Sequence, residues 1–262
     1  MVHTLKKAAQ ILELFSAERP EWGVREVGRE LDIPKSTAHA LMSSMADEGL
    51  LHRTDKGHYQ LGWRLFELSQ ILLDATQIRV AARAVMQDLI YRLGETVHLA
   101  ILDGVQAVYI EKLPRVAAEN ITSSRKGCRR PAHCSAVGKV LLAHREWEDI
   151  EPLLRHQGIR ARTPNTISTL EELRTELERI RSRGYAYDNE ETSLGVSCVG
   201  APVYNDRDGV IAAVSLAVPT HRFKHKRTEY TAAILEAAHR ISRIANRGMG
   251  TYTERTDHAS KA

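Results

Sequence analysis

The sequence predicts a chain of the α/β class in its α+β form, divided into two domains. Three observations carry this. Its 262 residues exceed one ordinary domain and fall short of three. The first sixty residues hold three short apolar stripes of helical period followed by a hairpin signal. Beyond Gly94, strand-like runs are interleaved with helical ones, the pattern of a central antiparallel sheet with helices on its faces.

Composition narrows the class. Hydrophobic residues make up 43% and charged residues 27%, which describes a soluble globular chain rather than a disordered or fibrous one. Nowhere do about 18 apolar residues run together, so no membrane-spanning helix is expected. Met1–Lys7 lacks the apolar stretch of a signal peptide. The three cysteines, Cys128, Cys134 and Cys198, form no disulfide framework, and thiols in a reducing cytoplasm are expected. The net charge of +4 invites a nucleic-acid reading, yet residues 1–62 carry eight Lys/Arg against nine Asp/Glu. Any DNA contact must therefore rest on a local patch.

Leu5, Ala8, Leu12 and Phe15 recur at three- and four-residue steps, so a helix should run to near Ser16. Val24, Val27, Gly28 and Leu31 mark a second, with Gly28 tolerated for a close approach. Asp32-Ile33-Pro34 is a break, and Pro34 suits the first position of a third helix that ends near Glu48 before Gly49. Leu51, Arg53, Tyr59 and Leu61 flank a Lys56-Gly57 turn. Three helices and a hairpin are the layout of a winged helix-turn-helix, in which the third helix enters the major groove of DNA.

The outward residues of that helix fit the task. Lys35, Ser36, Thr37, His39 and Ser43 are polar and mostly small, able to meet base edges or phosphates. Arg53 and Lys56 on the hairpin, and Arg25 on the second helix, would hold the backbone of a double-stranded DNA operator. The domain boundaries follow: 1–62 binds DNA, 63–76 is a linker helix, 77–247 is the second domain, and 248–262 is an aperiodic tail expected to be disordered.

The run Leu31-Asp32-Ile33-Pro34-Lys35-Ser36-Thr37-Ala38-His39, with Leu12–Phe15 before it and Tyr59–Gly62 after it, resembles the IclR family of bacterial transcriptional regulators. Two departures stand out: Ala40 occupies a place where members often carry Arg, and Asp32 a turn position usually held by Gly. The resemblance continues through Thr96–Ala100, Pro131–Lys139, Gly184-Tyr185 and Gly195–Val203, which are similar to that family's GAF-like effector-binding domain. It implies a homodimer, often a dimer of dimers, with no cofactor and no enzymatic activity, whose operator affinity shifts when a small organic acid binds. A repressor is the sign it implies. It places the effector site at Ala136, Val137, Asp188, Cys198 and Ser215. Bulky Ala136-Val137, and Ala217 where small-acid binders have a second serine, imply an effector larger or less polar than a two- or three-carbon keto acid.

In the larger domain the residues themselves predict strands over Thr96–Leu102, Val105–Ile110, Val196–Tyr204 and Val210–Val218. Helices are predicted over Ile78–Leu93, Ala136–His144, Trp147–Arg155, Leu170–Arg183 and Arg227–Asn246. Two other functions stay in view. Cys198 with His133 could make a nucleophile–base pair, although Gly195–Gly200 has the wrong spacing for a nucleophile elbow. Cys128, His133 and Cys134, with Asp188 or Cys198, could gather a metal, without a ligand-spacing motif to support it. Taken alone, His98 reads as a core histidine, Cys198 as a small hydrophobe, and Asp188 as the cap of a turn.

Overall fold

The computed structural model describes residues 3–114 and 124–253. The chain forms two compact units that divide between Ala75 and Thr76. The first contains α1 (His3–Glu13), α2 (Val24–Glu30), α3 (Lys35–Asp47), β1 (Leu51–Arg53), β2 (Tyr59–Leu61) and α4 (Trp63–Asp74). Ile11, Trp22, Val27, Ala38, Met42, Met45, Leu51 and Tyr59 make its core.

Local chemistry sets each corner of this unit. The Gly23 N–H donates to Glu26 Oε2 at 2.7 Å, closing the start of α2 and holding that carboxyl below its ordinary pKa. A Cβ on Gly28 would lie 3.1 Å from the Ile33 carbonyl oxygen, so the turn into α3 rests directly on α2. Asp32 takes the left-handed conformation at φ 50°, which its short polar side chain permits. Pro34 is the residue that caps α3 rather than its first helical residue, one position earlier than expected. Gly49 ends α3 at φ 74°, and the Leu50 N–H reaches back to the Met45 carbonyl at 2.8 Å. Trp22 exchanges backbone hydrogen bonds with Tyr59 at 3.0 and 2.9 Å, a one-residue bridge that ties the chain before α2 to β2 of the hairpin.

The second unit comprises α5 (Gln77–Leu93), β3 (Thr96–Asp103), β4 (Gln106–Leu113), β5 (Arg129–Pro131), α6 (Ala136–Ala143), α7 (Trp147–Gln157), α8 (Leu170–Arg183), β6 (Ala186–Asn189), β7 (Val196–Tyr204), β8 (Val210–Pro219) and α9 (Thr220–Thr253). The strands form one antiparallel sheet in the order β5-β4-β3-β8-β7-β6. Alternation along each strand divides the apolar residues between two layers. Val97, Leu99, Val199, Val214 and Leu216 pack with α5 and α9. Ala100, Tyr109, Ala186 and Ala213 pack with α6, α7 and α8 on the opposite face.

Two expectations are corrected here. The helix expected over Arg227–Asn246 begins at Thr220, is interrupted at Lys226 (φ −121°, ψ 22°), and continues to Thr253. The tail expected to be disordered from Gly248 is thus helical in its first part, because propagation adds a backbone hydrogen bond per residue even across glycine. Residues 254–262 lie outside the described residues. Strands β5 and β6, of three and four residues, are additions to the predicted sheet.

Candidate functional site

The outward face of α3 lies opposite Ala38, Met42 and Met45, which are buried. Lys35, Ser36 and His39 are exposed, while Thr37 and Ser43 are half-buried at the flanks. Ala40 sits near the centre of this face, and Ser44 beside it is also exposed, although the sequence reading passed over Ser44. No acidic residue occupies the first turn, so the helix N-terminus presents its positive end unopposed. On the wing Arg53 and Lys56 are exposed, as is His52, and Arg25 is exposed on α2. The hairpin thus carries its basic side chains on solvent while Leu51 and Tyr59 anchor it.

A small cavity of about 40 Å3 opens on the α6-bearing face of the second unit's sheet. Ala136, Val137, Asp188, Cys198 and Ser215 all line it. The register explains their convergence: Asp188 pairs with Cys198, and Ser215 pairs with His98 on one side and Gly200 on the other. Gly200 has no side chain to hold the sheet away from α6; a Cβ there would lie 3.2 Å from the Val137 nitrogen. Gly138 is more constrained, because its Cβ would fall 2.3 Å from the Ala132 carbonyl oxygen. Ser135 caps α6, its Oγ accepting from the Gly138 N–H at 3.1 Å. Ala136 and Val137, the first residues of α6 and part of the cavity lining, have backbone N–H groups with no carbonyl partner inside the helix.

His98, Tyr109, Ser135, Thr192, Ser193 and Val196 also line the cavity. Of these the sequence reading singled out His98 alone, as a core residue. Its Nε2 shares a 2.8 Å hydrogen bond with Ser124 Oγ, and its ring meets Tyr109 edge-on at 5.1 Å. Burial, aided by Lys112, pushes the imidazole pKa down to about 3, so it is neutral. Burial pushes the Tyr109 phenol and the Cys198 thiol well up, so both keep their protons. Asp188 Oδ1 accepts the Glu191 N–H at 2.7 Å and the Thr192 N–H at 3.3 Å. It therefore caps a turn, as its place after Gly184–Tyr187 suggests, while also lining the cavity. Burial raises its pKa, opposed by Thr192, Lys139 and those two N–H groups.

Behind Asp188 lies a buried ion pair between Lys139 Nζ of α6 and Glu191 Oε1, with side chains 2% and 6% exposed. Glu191 Oε2 is buried without a partner. Burial outweighs the ammonium and pushes the Glu191 carboxyl up to about 7.

The alternative sites are not assembled. His133 turns Nε2 to the Arg160 carbonyl at 3.2 Å rather than to Cys198. The Cys134 thiol donates to the Pro131 carbonyl at 3.4 Å, and burial pushes its pKa up to about 11. Among the described residues no group of three His, Cys, Asp or Glu could hold a metal ion. Among them, too, no helix is long and apolar enough to cross a membrane.

Residues 4–55 match the IclR helix-turn-helix domain, and residues 70–243 match the family described as bacterial transcriptional regulator IclR C-terminal. The chain is 36% identical over 223 residues to the HTH-type transcriptional regulator XynR of Escherichia coli K12, covering 85% of this chain and 88% of that protein. The crystal structure of Thermotoga maritima IclR superposes with a TM-score of 0.70 at 33% identity, covering 93% and 98% of the two chains. An IclR homologue of Microbacterium hydrocarbonoxydans, crystallised with 4-hydroxybenzoate, gives a TM-score of 0.80 at 28% identity over 92% and 98%. A helix-turn-helix unit and a cavity-bearing unit on one chain, each matched by its own family model, have one account: the chain belongs to the IclR family of bacterial transcriptional regulators.

Proposed function

We propose that the protein is a homodimeric repressor whose grip on an operator changes when an organic acid occupies the cavity of the second unit. The observation that carries the effector reading is the convergence of Asp188, Cys198, Ser215 and the start of α6 on one cavity. A carboxylate would accept from the Ala136 and Val137 N–H groups, and the walls would set ligand size. The lining is more apolar than polar, and the related Microbacterium protein holds 4-hydroxybenzoate. Both favour an acid larger or less polar than a two- or three-carbon keto acid.

For DNA, α3 would lie in the major groove with Ser36, Thr37, His39 and Ser43 at base edges. Lys35, Arg25, Arg53 and Lys56 would hold phosphates. The dimer reading draws on α4, where Trp63, Phe66, Ile71 and Leu72 are exposed and no residue is buried. An apolar surface of that extent on one helix favours a second copy of the chain as its cover, in a cytoplasmic dimer or dimer of dimers. The protein acts by binding and not by catalysis. Calorimetry with 4-hydroxybenzoate, pyruvate and glyoxylate tests the effector reading. Tight binding of the two small keto acids with silence from aromatic and longer acids would overturn the size argument.

A further inference from the structure

We propose that Ala40 fixes one base of the operator: its methyl group reads the C5-methyl of a thymine in each half-site. This rests on α3 lying in the major groove, as read above, and names a base that the helix selects. Ala40 sits at the centre of the outward face, and it alone among the residues of α3 is both apolar and exposed. Ala38, Met42 and Met45 are turned into the core, and Leu41 and Ala46 are half-buried. Its surroundings decide what the methyl can reach. Ser36 and Ser44, one turn before and one turn after on the same face, are exposed and extend no farther than a hydroxymethyl group. His39, the longer exposed neighbour, lies about 100° round the helix. The Ala40 Cβ can therefore come close to the floor of the groove.

The partner is DNA, because this face belongs to the matched helix-turn-helix domain. Lys35 on the same helix, and Arg53 and Lys56 on the wing, are exposed to meet phosphates. Base edges in the major groove offer donors and acceptors, with one apolar group among them, the thymine C5-methyl. Against a donor or an acceptor the Ala40 methyl would displace water and return no hydrogen bond, which is costly. Against the thymine methyl it buries two apolar groups and strands nothing. Thr37 also carries a methyl, but that residue is half-buried at the flank of the face.

The test resynthesises the operator enriched from genomic fragments with deoxyuridine for thymine, one position at a time in both half-sites. Deoxyuridine keeps every hydrogen-bonding group of thymine and lacks only the methyl. Gel-shift titration of the full-length protein should find a position where the change weakens binding about 15-fold. That is about fourfold for each half-site, the effect of one methyl group buried. Ala40→Gly, a mild change at an exposed helical position, should bind the thymine and deoxyuridine operators within about twofold of each other. The ratio is taken within one protein, so a loss of stability does not alter it. An operator indifferent to every thymine methyl overturns the inference and leaves the DNA reading standing. A sensitive thymine whose ratio survives Ala40→Gly also overturns it, because another residue then reads that base. A selection that enriches no operator overturns both.

Discussion

Lys139→Met should cost stability in a strongly pH-dependent way. Lys139 and Glu191 are almost wholly enclosed, and Glu191 has one oxygen already without a partner. Removing the ammonium leaves a buried carboxylate with only the Asn189 N–H, 3.4 Å from Oε1, to offset it, a change worth up to about 3–5 kcal/mol while the carboxylate stays ionised. The charge can be relieved by taking up a proton, and the sign of the pH effect follows. Glu191 has a folded-state pKa of about 7 against an ordinary 4.5. Its contribution is therefore fully present below pH 4.5 and is lost as pH rises through 7. Without Lys139 that pKa rises further, so Lys139→Met should cost more near pH 8 than at about pH 6, by at most about 1.4 kcal/mol for each pH unit between them. At about 2–4 °C per kcal/mol for a unit of this size, the drop in Tm near pH 8 should exceed that at pH 6 by no more than about 11 °C. The neutral pair Lys139→Met with Glu191→Gln should recover to within about 1 kcal/mol of the parent, since a matched uncharged pair strands no ion. Denaturant melts of the three proteins at both pH values check this. Equal losses at the two pH values, or a double variant no better than the single, would refute the reasoning.

Gly138→Ala drives a Cβ to 2.3 Å from the Ala132 carbonyl and should cost about 3 kcal/mol, read by denaturant melt, together with loss of acid binding in calorimetry. Thr37→Ala and His39→Ala should each weaken operator binding by about 1–3 kcal/mol if the side chain reads a base. Gel-shift titrations in which both variants match the parent would remove α3 from the groove. Trp63 is 82% exposed on α4, so Trp63→Asp should sediment as a monomer at concentrations where the parent is a dimer. An unchanged sedimenting mass would place the dimer contact elsewhere.

Much of the fold is legible in the sequence wherever one element's own residues carry its pattern. Ala38, Met42 and Met45 announce the buried face of α3, and Leu170–Arg183 emerges with the predicted bounds of α8. What escapes depends on partners distant in the chain. Arg129–Pro131 is too short to show alternation, and its strand exists because β4 is there to pair with it. The Trp22–Tyr59 rung has no local signal at all. The start of α9 hides behind the polar run before Lys226, where the helix breaks.

The cavity divides in the same way. Asp188, Cys198 and Ser215 came from resemblance to a family, not from spacing. Tyr109, Thr192 and Val196 join them only once β4, β6 and β7 lie in one sheet. Ser135 alone carried a usable sign, a serine directly before a helical run. Lys139 and Glu191 stand 52 residues apart, and nothing in the sequence couples them.

The most direct test of the regulator account is a selection of genomic fragments on the purified full-length protein at two salt concentrations. It should enrich one pseudo-palindrome with half-sites about one or two helical turns apart, with affinity falling steeply with salt. Salt-sensitive retention of every fragment alike, with no sequence enriched, would contradict it.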